Sequence, residues 1–210
     1  MDTFNTLRAQ DIQSEKAISQ FLDRHFYPKH FSSFKRYEDK ETQLLGIDVI
    51  ANSAEGPIKI DEKAASHYVN KDIQTFAFEL SYTGKNNQLW KGWFYDKEKH
   101  TEYYLLCWLW ASQDKFKYED LTKVEVALIN RQKLIDLLDD LRLNYKRARA
   151  IDNKLRQANI TKLIVEGKPF YFYHTKHLAE KPTNLIIPKK LLIELSDSHH
   201  IIGNTPGKNS

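Results

Sequence analysis

Cysteine is almost absent from this sequence. The only one, Cys107, lies in an apolar stretch and has no partner for a disulfide. The same count excludes zinc sites that are built from paired cysteines. A chain without disulfides suits a reducing compartment, so we expect a cytoplasmic protein.

Long hydrophobic runs are also missing. The longest candidate, residues 103–110, is much shorter than the roughly 18–20 apolar residues that cross a bilayer. The first ten residues, MDTFNTLRAQ, lack the charged and then apolar pattern of a signal peptide, so no export is indicated. We therefore expect no membrane partner.

A strong excess of one charge is missing as well, because the formal net charge is only +4. This balance alone does not indicate a nucleic acid partner. The distribution of charge is more informative. One stretch contains a single acid, Asp152, and five basic residues: Lys146, Arg147, Arg149, Lys154 and Arg156. Such a patch suits phosphate binding, and a solvated helix face is the alternative explanation.

The sequence does contain enough apolar residues to fold. Hydrophobic residues make up 41% of the 210 positions, which fits a single α/β domain with one core. We predict a common core at about 10–130, a C-terminal elaboration at about 131–203 and a flexible tail at 204–210.

Hydrophobic periodicity predicts a mixed order of helices and strands. Helices are predicted at 11–26, 131–143, 145–158 and 189–195. Strands are predicted at 43–51, 58–65, 76–82, 89–95, 103–110, 123–129, 170–174 and 184–187.

The first predicted helix carries an acid on its apolar side. Asp11 is a candidate N-cap, and Ile18, Leu22 and Phe26 share one face. On the same helical wheel Glu15 falls between Leu22 and Phe26. A carboxylate that points into a core is costly without a positive partner, so we expect Glu15 to have a functional reason.

Two acids and a lysine occupy a predicted hairpin. The strands 43–51 and 58–65 present Asp48 and Asp61 to the same side. Lys63 shares the face of Asp61 and lies about 6.5–7 Å further along the strand. Two carboxylates suffice to hold Mg²⁺, and a nearby ammonium can orient a nucleophile or stabilise developing charge. The pattern therefore predicts metal-assisted hydrolysis of a phosphodiester.

These residues resemble the PD-(D/E)XK nuclease superfamily, which includes many restriction endonucleases and Holliday-junction resolvases. By resemblance, Asp48 matches the isolated acid, Asp61 the acid of the D/E-x-K element and Lys63 its lysine. Glu15 matches the helix glutamate of part of the superfamily, and the Glu62 backbone carbonyl is expected near the metal.

The resemblance covers residues 10–82, and Ile47 stands where the named motif has proline, a departure that many members share. It implies a restriction-endonuclease-like fold, with a mixed central β-sheet flanked by helices. It also implies an Mg²⁺-dependent endonuclease, with Mn²⁺ as a substitute, that cuts DNA in restriction, defence or recombination. A homodimer would ease the cutting of both strands, although no dimer seam is evident.

Several alternatives stay open. A one-residue slip of the second strand would turn Glu62 toward the site, although a core position for Ile58 and Ile60 favours Asp61. Asp61 and Lys63 would otherwise form an ordinary ion pair. Glu79 and His67 are further candidates for the cleft. The second functional hypothesis is a non-catalytic nucleic-acid-binding module that retains the nuclease architecture and uses the basic stretch.

Overall fold

The computed structural model describes the backbone of residues 3–203 and the side chains from Ile12 onward, apart from that of Lys85. Its helices are α1 (Thr3–His25), α2 (Tyr27–His30), α3 (Lys40–Leu44), α4 (Arg131–Asp140), α5 (Tyr145–Gln157) and α6 (Lys189–Leu195). Its strands are β1 (Ser33–Arg36), β2 (Val49–Ser53), β3 (Gly56–Ala64), β4 (Thr75–Thr83), β5 (Leu89–Lys91), β6 (Tyr103–Ala111), β7 (Leu121–Asn130), β8 (Lys162–Ile164), β9 (Tyr171–His174), β10 (Thr183–Pro188) and β11 (Ser198–Gly203). Short 3-10 helices lie at Ser66–Tyr68, Lys85–Asn87 and Tyr118–Asp120.

The strands form two sheets, and the architecture is mixed α/β. The six-stranded sheet has the order β1-β2-β3-β6-β7-β11, and it is mixed because β3 and β6 run parallel whereas β1–β2, β2–β3 and β7–β11 are antiparallel. The five-stranded sheet has the order β5-β4-β10-β9-β8 and is antiparallel throughout. Helices flank both sheets.

The described chain divides into two compact units. The first comprises residues up to Ile73, Thr101–Ile129 and the part from Ser196, and it contains the six-stranded sheet. The second comprises Gln74–His100 and Asn130–Leu195, with the five-stranded sheet. The boundaries predicted near residues 10, 130 and 203 stay a prediction, and the predicted tail at 204–210 lies outside the described residues.

The core of the first unit forms where α1 packs on the six-stranded sheet. Phe21 and Leu22 of α1 are fully buried with Ile60 of β3 and Leu105 of β6. Burial of each of these side chains contributes about 1.5–3 kcal/mol relative to exposure. This packing fixes one face of β3 against the helix and leaves its alternate residues for the opposite face.

In the second unit, α5 covers one face of the five-stranded sheet. Phe78, Phe172 and Leu185 are buried on adjacent strands. Arg156 of α5 donates to Ser81 on β4, from Nη2 to Oγ at 2.7 Å. The helix is therefore attached to the sheet by a polar contact as well as by apolar packing.

Most of the predicted elements are confirmed. Strands appear at each predicted position from 58–65 onward, the predicted helix at 189–195 matches α6, and the Asn130 side chain caps α4 as expected. None of the described helices is both long and apolar enough to cross a membrane.

Several predicted boundaries were wrong. Helix α1 already begins at Thr3, so Asp11 lies inside it and is not its N-cap. Residues 40–44 form α3, capped by Asp39, and the strand predicted at 43–51 begins only at Val49. Strand β5 ends at Lys91 rather than at residue 95, and β1, β8 and β11 were not predicted.

Candidate active site

A tight hairpin brings the two candidate acids together. Strands β2 and β3 pair from Ser53↔Gly56 to Val49↔Ile60. The turn requires glycine at position 56, whose φ is +121°, a value that L side chains rarely adopt. The Asp48 amide donates to the Ile60 carbonyl at 2.9 Å and so extends the ladder by one residue beyond β2.

The side chains of Asp48, Asp61 and Lys63 converge at this end of the hairpin. Lys63 Nζ donates to Asp61 Oδ1 in a short ion pair. Asp48 Oδ2 accepts from the Glu62 amide at 2.8 Å and lies within electrostatic reach of both Asp61 and Lys63. Asp61 is 3% exposed, and the Lys63 side chain is 26% exposed. The sequence expectation that these three groups share one side of the hairpin agrees with their positions.

The pKa values of these groups are shifted because two acids lie close together where they are largely buried. Burial and then the neighbouring charge of Asp61 raise the pKa of Asp48 to about 6. Burial lowers the pKa of Lys63, but the carboxylates of Asp61 and Asp48 outweigh it and raise that pKa overall. Burial and the proximity of Asp61 thus make the ionised form of Asp48 less stable than in water, and a bound cation would reduce that cost.

Glu62 lies between Asp61 and Lys63 in sequence, but its side chain points to the opposite face. It accepts hydrogen bonds from Tyr27 Oη at 2.6 Å and from Arg36 Nη1 and Nη2 at 2.9 and 2.8 Å. The alternative register, with Glu62 in place of Asp61, is therefore not the one that the chain adopts. The predicted role of the Glu62 carbonyl near a metal stays a prediction.

Glu15 is not buried, which corrects the expectation that it points into the core. The apolar face of α1 is rotated, so that Ser14, Ala17 and Ile18 face inward while Ile12 and Glu15 are exposed. Glu15 nevertheless acts electrostatically on Lys63 and contributes to its raised pKa. Glu15 is thus an exposed residue within electrostatic reach of Lys63.

The other two candidates from the sequence are His67, in the first unit, and Glu79, in the second. His67 is exposed in the 3-10 helix that follows β3. Glu79 lies on β4 of the second unit, half-buried. The participation of His67 and Glu79 in the site stays a prediction.

Only part of the basic stretch is available to a ligand. Lys146, Arg147 and Lys154 are exposed on α5, whereas Arg149 and Arg156 flank the fully buried Asp152. Arg156 Nε donates to Asp152 Oδ1 at 2.8 Å, and its Nη2 binds Ser81. Arg156 thus helps to hold α5 against β4, whereas Arg149 lies 3.9 Å from Asp152 within the same helix.

Sequence reasoning also missed residues behind the hairpin. Neither Tyr27 nor Arg36 was among the predicted site residues, yet both bind Glu62. Thr101 was not considered, and its Oγ1 donates to the Gly46 carbonyl at 2.8 Å, just before Asp48. No local pattern in the sequence specifies the bond between Arg36 and Glu62, because the two residues are 26 positions apart.

The donor chemistry of the cluster suits a hard divalent cation. Asp48 and Asp61 supply carboxylate oxygens, the ligands that Mg²⁺ prefers, and Mg²⁺ usually needs only one or two of them because it keeps several waters. Among the described side chains no group of three or more His, Cys, Asp or Glu converges in a metal-binding arrangement. The cluster therefore offers two carboxylate ligands.

Comparison of this chain with protein-family models, with curated proteins and with solved structures finds no match.

Proposed function

We propose that the chain is a metal-dependent endonuclease that hydrolyses phosphodiester bonds in DNA. The observation that carries this proposal is the convergence of Asp48, Asp61 and Lys63 at one end of the β2–β3 hairpin. We further propose that the first unit has a restriction-endonuclease-like fold and that the protein acts in the cytoplasm.

Each member of the cluster has a role that its position supports. Asp48 and Asp61 would hold Mg²⁺, or Mn²⁺ in its place, and the exposed Glu15 would add an oxygen ligand or bind a water. When bound, the metal supplies positive charge for the transition state and lowers the pKa of water at the site. The Lys63 ammonium, which Asp61 holds in place, would orient the attacking water or stabilise the charge that develops on the phosphate.

The close approach of the two acids supports this role better than a purely structural one. A second carboxylate beside the Asp61–Lys63 ion pair attracts the Lys63 ammonium, but it also brings two buried acids close together. Burial and then the neighbouring charge of Asp61 raise the pKa of Asp48 to about 6, so keeping both acids ionised costs free energy that a bound cation would offset. An excess of carboxylate over ammonium suits a site that binds a cation.

The decisive experiment is plasmid cleavage with the full chain. The wild-type protein should nick or linearise plasmid DNA in Mg²⁺ or Mn²⁺ and lose this activity in EDTA. Asp61→Asn and Lys63→Met should each reduce cleavage by about 10²-fold or more, as expected for the loss of a group that acts on the transition state.

A matched control distinguishes the loss of a site residue from a general effect of substitution on the hairpin. Glu55→Gln alters an exposed acid in the turn of the same hairpin, away from the cluster, and should leave cleavage unchanged. Cleavage that persists undiminished in Asp61→Asn would show that the activity has another origin and would remove the proposed site.

A specific observation also supports the second candidate, a nucleic-acid-binding module without catalysis. The solvent face of α5 contains Lys146, Arg147 and Lys154, together with Ala150, Asn153 and Gln157, and no acid. Such a face attracts a phosphate backbone. This candidate predicts salt-sensitive binding to DNA and no cleavage with either metal.

A further inference from the structure

A buried polar cluster lies on the face of β3 opposite the candidate site. We call it the Glu62 cluster, and its members are Asp23 of α1, Tyr27 at the start of α2, Arg36 of β1 and Glu62 of β3. Arg36 bridges the two acids, because Nη2 lies 2.7 Å from Asp23 Oδ1 and 2.8 Å from Glu62 Oε1. Its Nε also donates to Asp23, and its Nη1 to Glu62. The Tyr27 hydroxyl completes the set at 2.6 Å from Glu62 Oε1.

The cluster is held in one geometry by its burial. The Arg36 side chain is 15% exposed and that of Glu62 is 10% exposed, while Tyr27 is fully buried; Asp23, at the edge of the cluster, is 31% exposed. Buried charges are costly unless each is paired and hydrogen-bonded, and a planar guanidinium satisfies two carboxylates in only one orientation. Burial lowers the pKa of Arg36, but its hydrogen bonds to Asp23 and Glu62 raise it overall, so its charge is retained.

Strand geometry links this cluster to the candidate site. Successive side chains of a strand point to opposite faces, so a fixed Glu62 side chain directs Asp61 and Lys63 to the other face. A slip by one residue would exchange the faces, removing Asp61 and Lys63 from Asp48 and placing Glu62 there instead. The Glu62 backbone contributes directly as well, because its amide donates to Asp48 Oδ2 at 2.8 Å.

We propose that Arg36, Tyr27 and the Glu62 side chain are positioning residues, which hold β3 in the register that brings Asp48, Asp61 and Lys63 together. The inference about catalysis rests on the proposed nuclease function, whereas the inference about geometry does not. None of the three side chains touches the reacting atoms in this scheme. They act by holding β3 in place. This keeps Asp61 close to Asp48 although the two carboxylates repel each other.

The test compares three variants of the full chain with a matched control. Arg36→Met removes the charge that links Asp23 to Glu62. Arg36→Lys keeps that charge but loses the planar guanidinium, and Tyr27→Phe removes one hydrogen bond while it retains the ring. Asp152→Asn is the control, because it also breaks a buried arginine–carboxylate pair, but in the second unit. Each protein is examined for kcat and KM of plasmid cleavage in Mg²⁺, and for hydrogen exchange of the Glu62 amide in metal-free buffer.

We expect Arg36→Met and Arg36→Lys to lower kcat by about 10- to 100-fold and to change KM by no more than about twofold. The reason is that a small misplacement of groups at a reacting centre slows the reaction more than it weakens binding. Tyr27→Phe should lower kcat by a few-fold. The Glu62 amide should exchange at least about tenfold faster in both Arg36 variants, relative to the slowest amides of the same sheet. Asp152→Asn should reduce stability but change neither kcat nor the relative exchange of Glu62.

The proposal is overturned if folded Arg36→Lys and Tyr27→Phe keep the wild-type kcat and the wild-type Glu62 exchange. It is also overturned if Asp152→Asn lowers kcat as much as the Arg36 variants do, because the effect would then be general destabilisation. If the wild-type protein cuts no DNA in either metal, the nuclease proposal fails by itself. Exchange of the Glu62 amide then decides alone whether the cluster positions β3.

Discussion

At the scale of single residues, the most informative group is Asp48. It is a carboxylate that burial and a second carboxylate make harder to ionise, with a pKa of about 6. A side chain that packed only for stability would not be placed in this way, since burial and the neighbouring acid make its charged form less stable than it is in water. Residues held in such unfavourable surroundings are found preferentially at functional sites.

Asp48→Asn should therefore stabilise the metal-free protein at neutral pH. The folded-state pKa exceeds the ordinary value of 3.8, so the folded protein binds more protons than the unfolded chain between about pH 4 and pH 6. The favourable contribution of Asp48 is thus present below about pH 4 and is lost as the pH rises through about 6. Removing the charge should raise the free energy of unfolding at pH 7.5 by the order of 1–3 kcal/mol.

Urea denaturation in EDTA, at pH 7.5 and at pH 4, measures this difference. The gain of Asp48→Asn should shrink toward zero at the lower pH, where the wild-type carboxyl is protonated as well. A variant that is equally stable or less stable than the wild type at pH 7.5 would contradict the expected repulsion between Asp48 and Asp61.

At the scale of helices and strands, local patterns predicted the hairpin but not the contacts between residues that are far apart in sequence. Asp48, Asp61 and Lys63 were identified because a turn and a period of two bring them together over a short stretch. Strand β1 was missed because its four residues, Ser33–Arg36, alternate between exposed and half-buried positions at a sheet edge. The bond from Arg36 to Glu62 joins residues far apart in sequence, so no local pattern specifies it.

Helix α5 illustrates the same limit for charge. The sequence offers five cations, but the buried Asp152 engages Arg156 directly and lies 3.9 Å from Arg149. Three-dimensional packing, and not the number of charges, decides which cations face solvent. Lys146, Arg147 and Lys154 form the face on which a phosphate backbone would rest.

Substitutions on α5 should accordingly separate into two classes. Arg147→Gln and Lys154→Gln should each weaken DNA binding and reduce the slope of log affinity against log salt concentration by about 1. Arg156→Gln should lower the free energy of unfolding by about 3–5 kcal/mol, because it leaves Asp152 buried without its main partner.

Fluorescence anisotropy with a labelled duplex at several salt concentrations measures the first effect, and urea denaturation the second. Lys190→Gln is a suitable control, since Lys190 is highly exposed on α6 and its weak pair with Glu194 contributes little. If the slope of log affinity against log salt concentration is unchanged in the Arg147→Gln/Lys154→Gln double variant, α5 is not the binding surface.

At the scale of the whole molecule, the linear sequence and the compact units divide the chain differently. A reading along the chain separates it near residue 130, whereas each unit draws on segments that are far apart in sequence. Composition gave no sign of this, because no glycine-rich or proline-rich linker marks the points where the chain passes between units. The order of helices and strands, and with it the α/β class, was predictable from periodicity. The mixed sheet was expected from the resemblance alone, and the assembly of each unit from distant segments was not predicted.

Metal binding at Asp48 and Asp61 should stabilise the entire folded chain by mass action. A ligand that binds only the folded state contributes about 2.7 kcal/mol at a concentration 100 times its Kd. Mg²⁺ should therefore raise the denaturation midpoint of the wild-type protein, and EDTA should reverse the shift.

The Asp48→Asn/Asp61→Asn double variant should show no such shift in the same titration. It keeps the shape of both side chains but lacks the charge that attracts the cation. An equal rise of the midpoint in this variant would mean that Mg²⁺ acts elsewhere on the chain, and the proposed ligands would be wrong.

The parallel pairing of β3 with β6 has a consequence for how the polypeptide is made. The two strands are adjacent in the sheet, but the ribosome must synthesise β4 and β5 of the other unit before β6 exists. The last partner of β7, strand β11, emerges only after nearly all of the second unit. The six-stranded sheet is therefore completed late in translation, and a nascent chain that stops before Ser198 leaves one side of β7 without its partner strand.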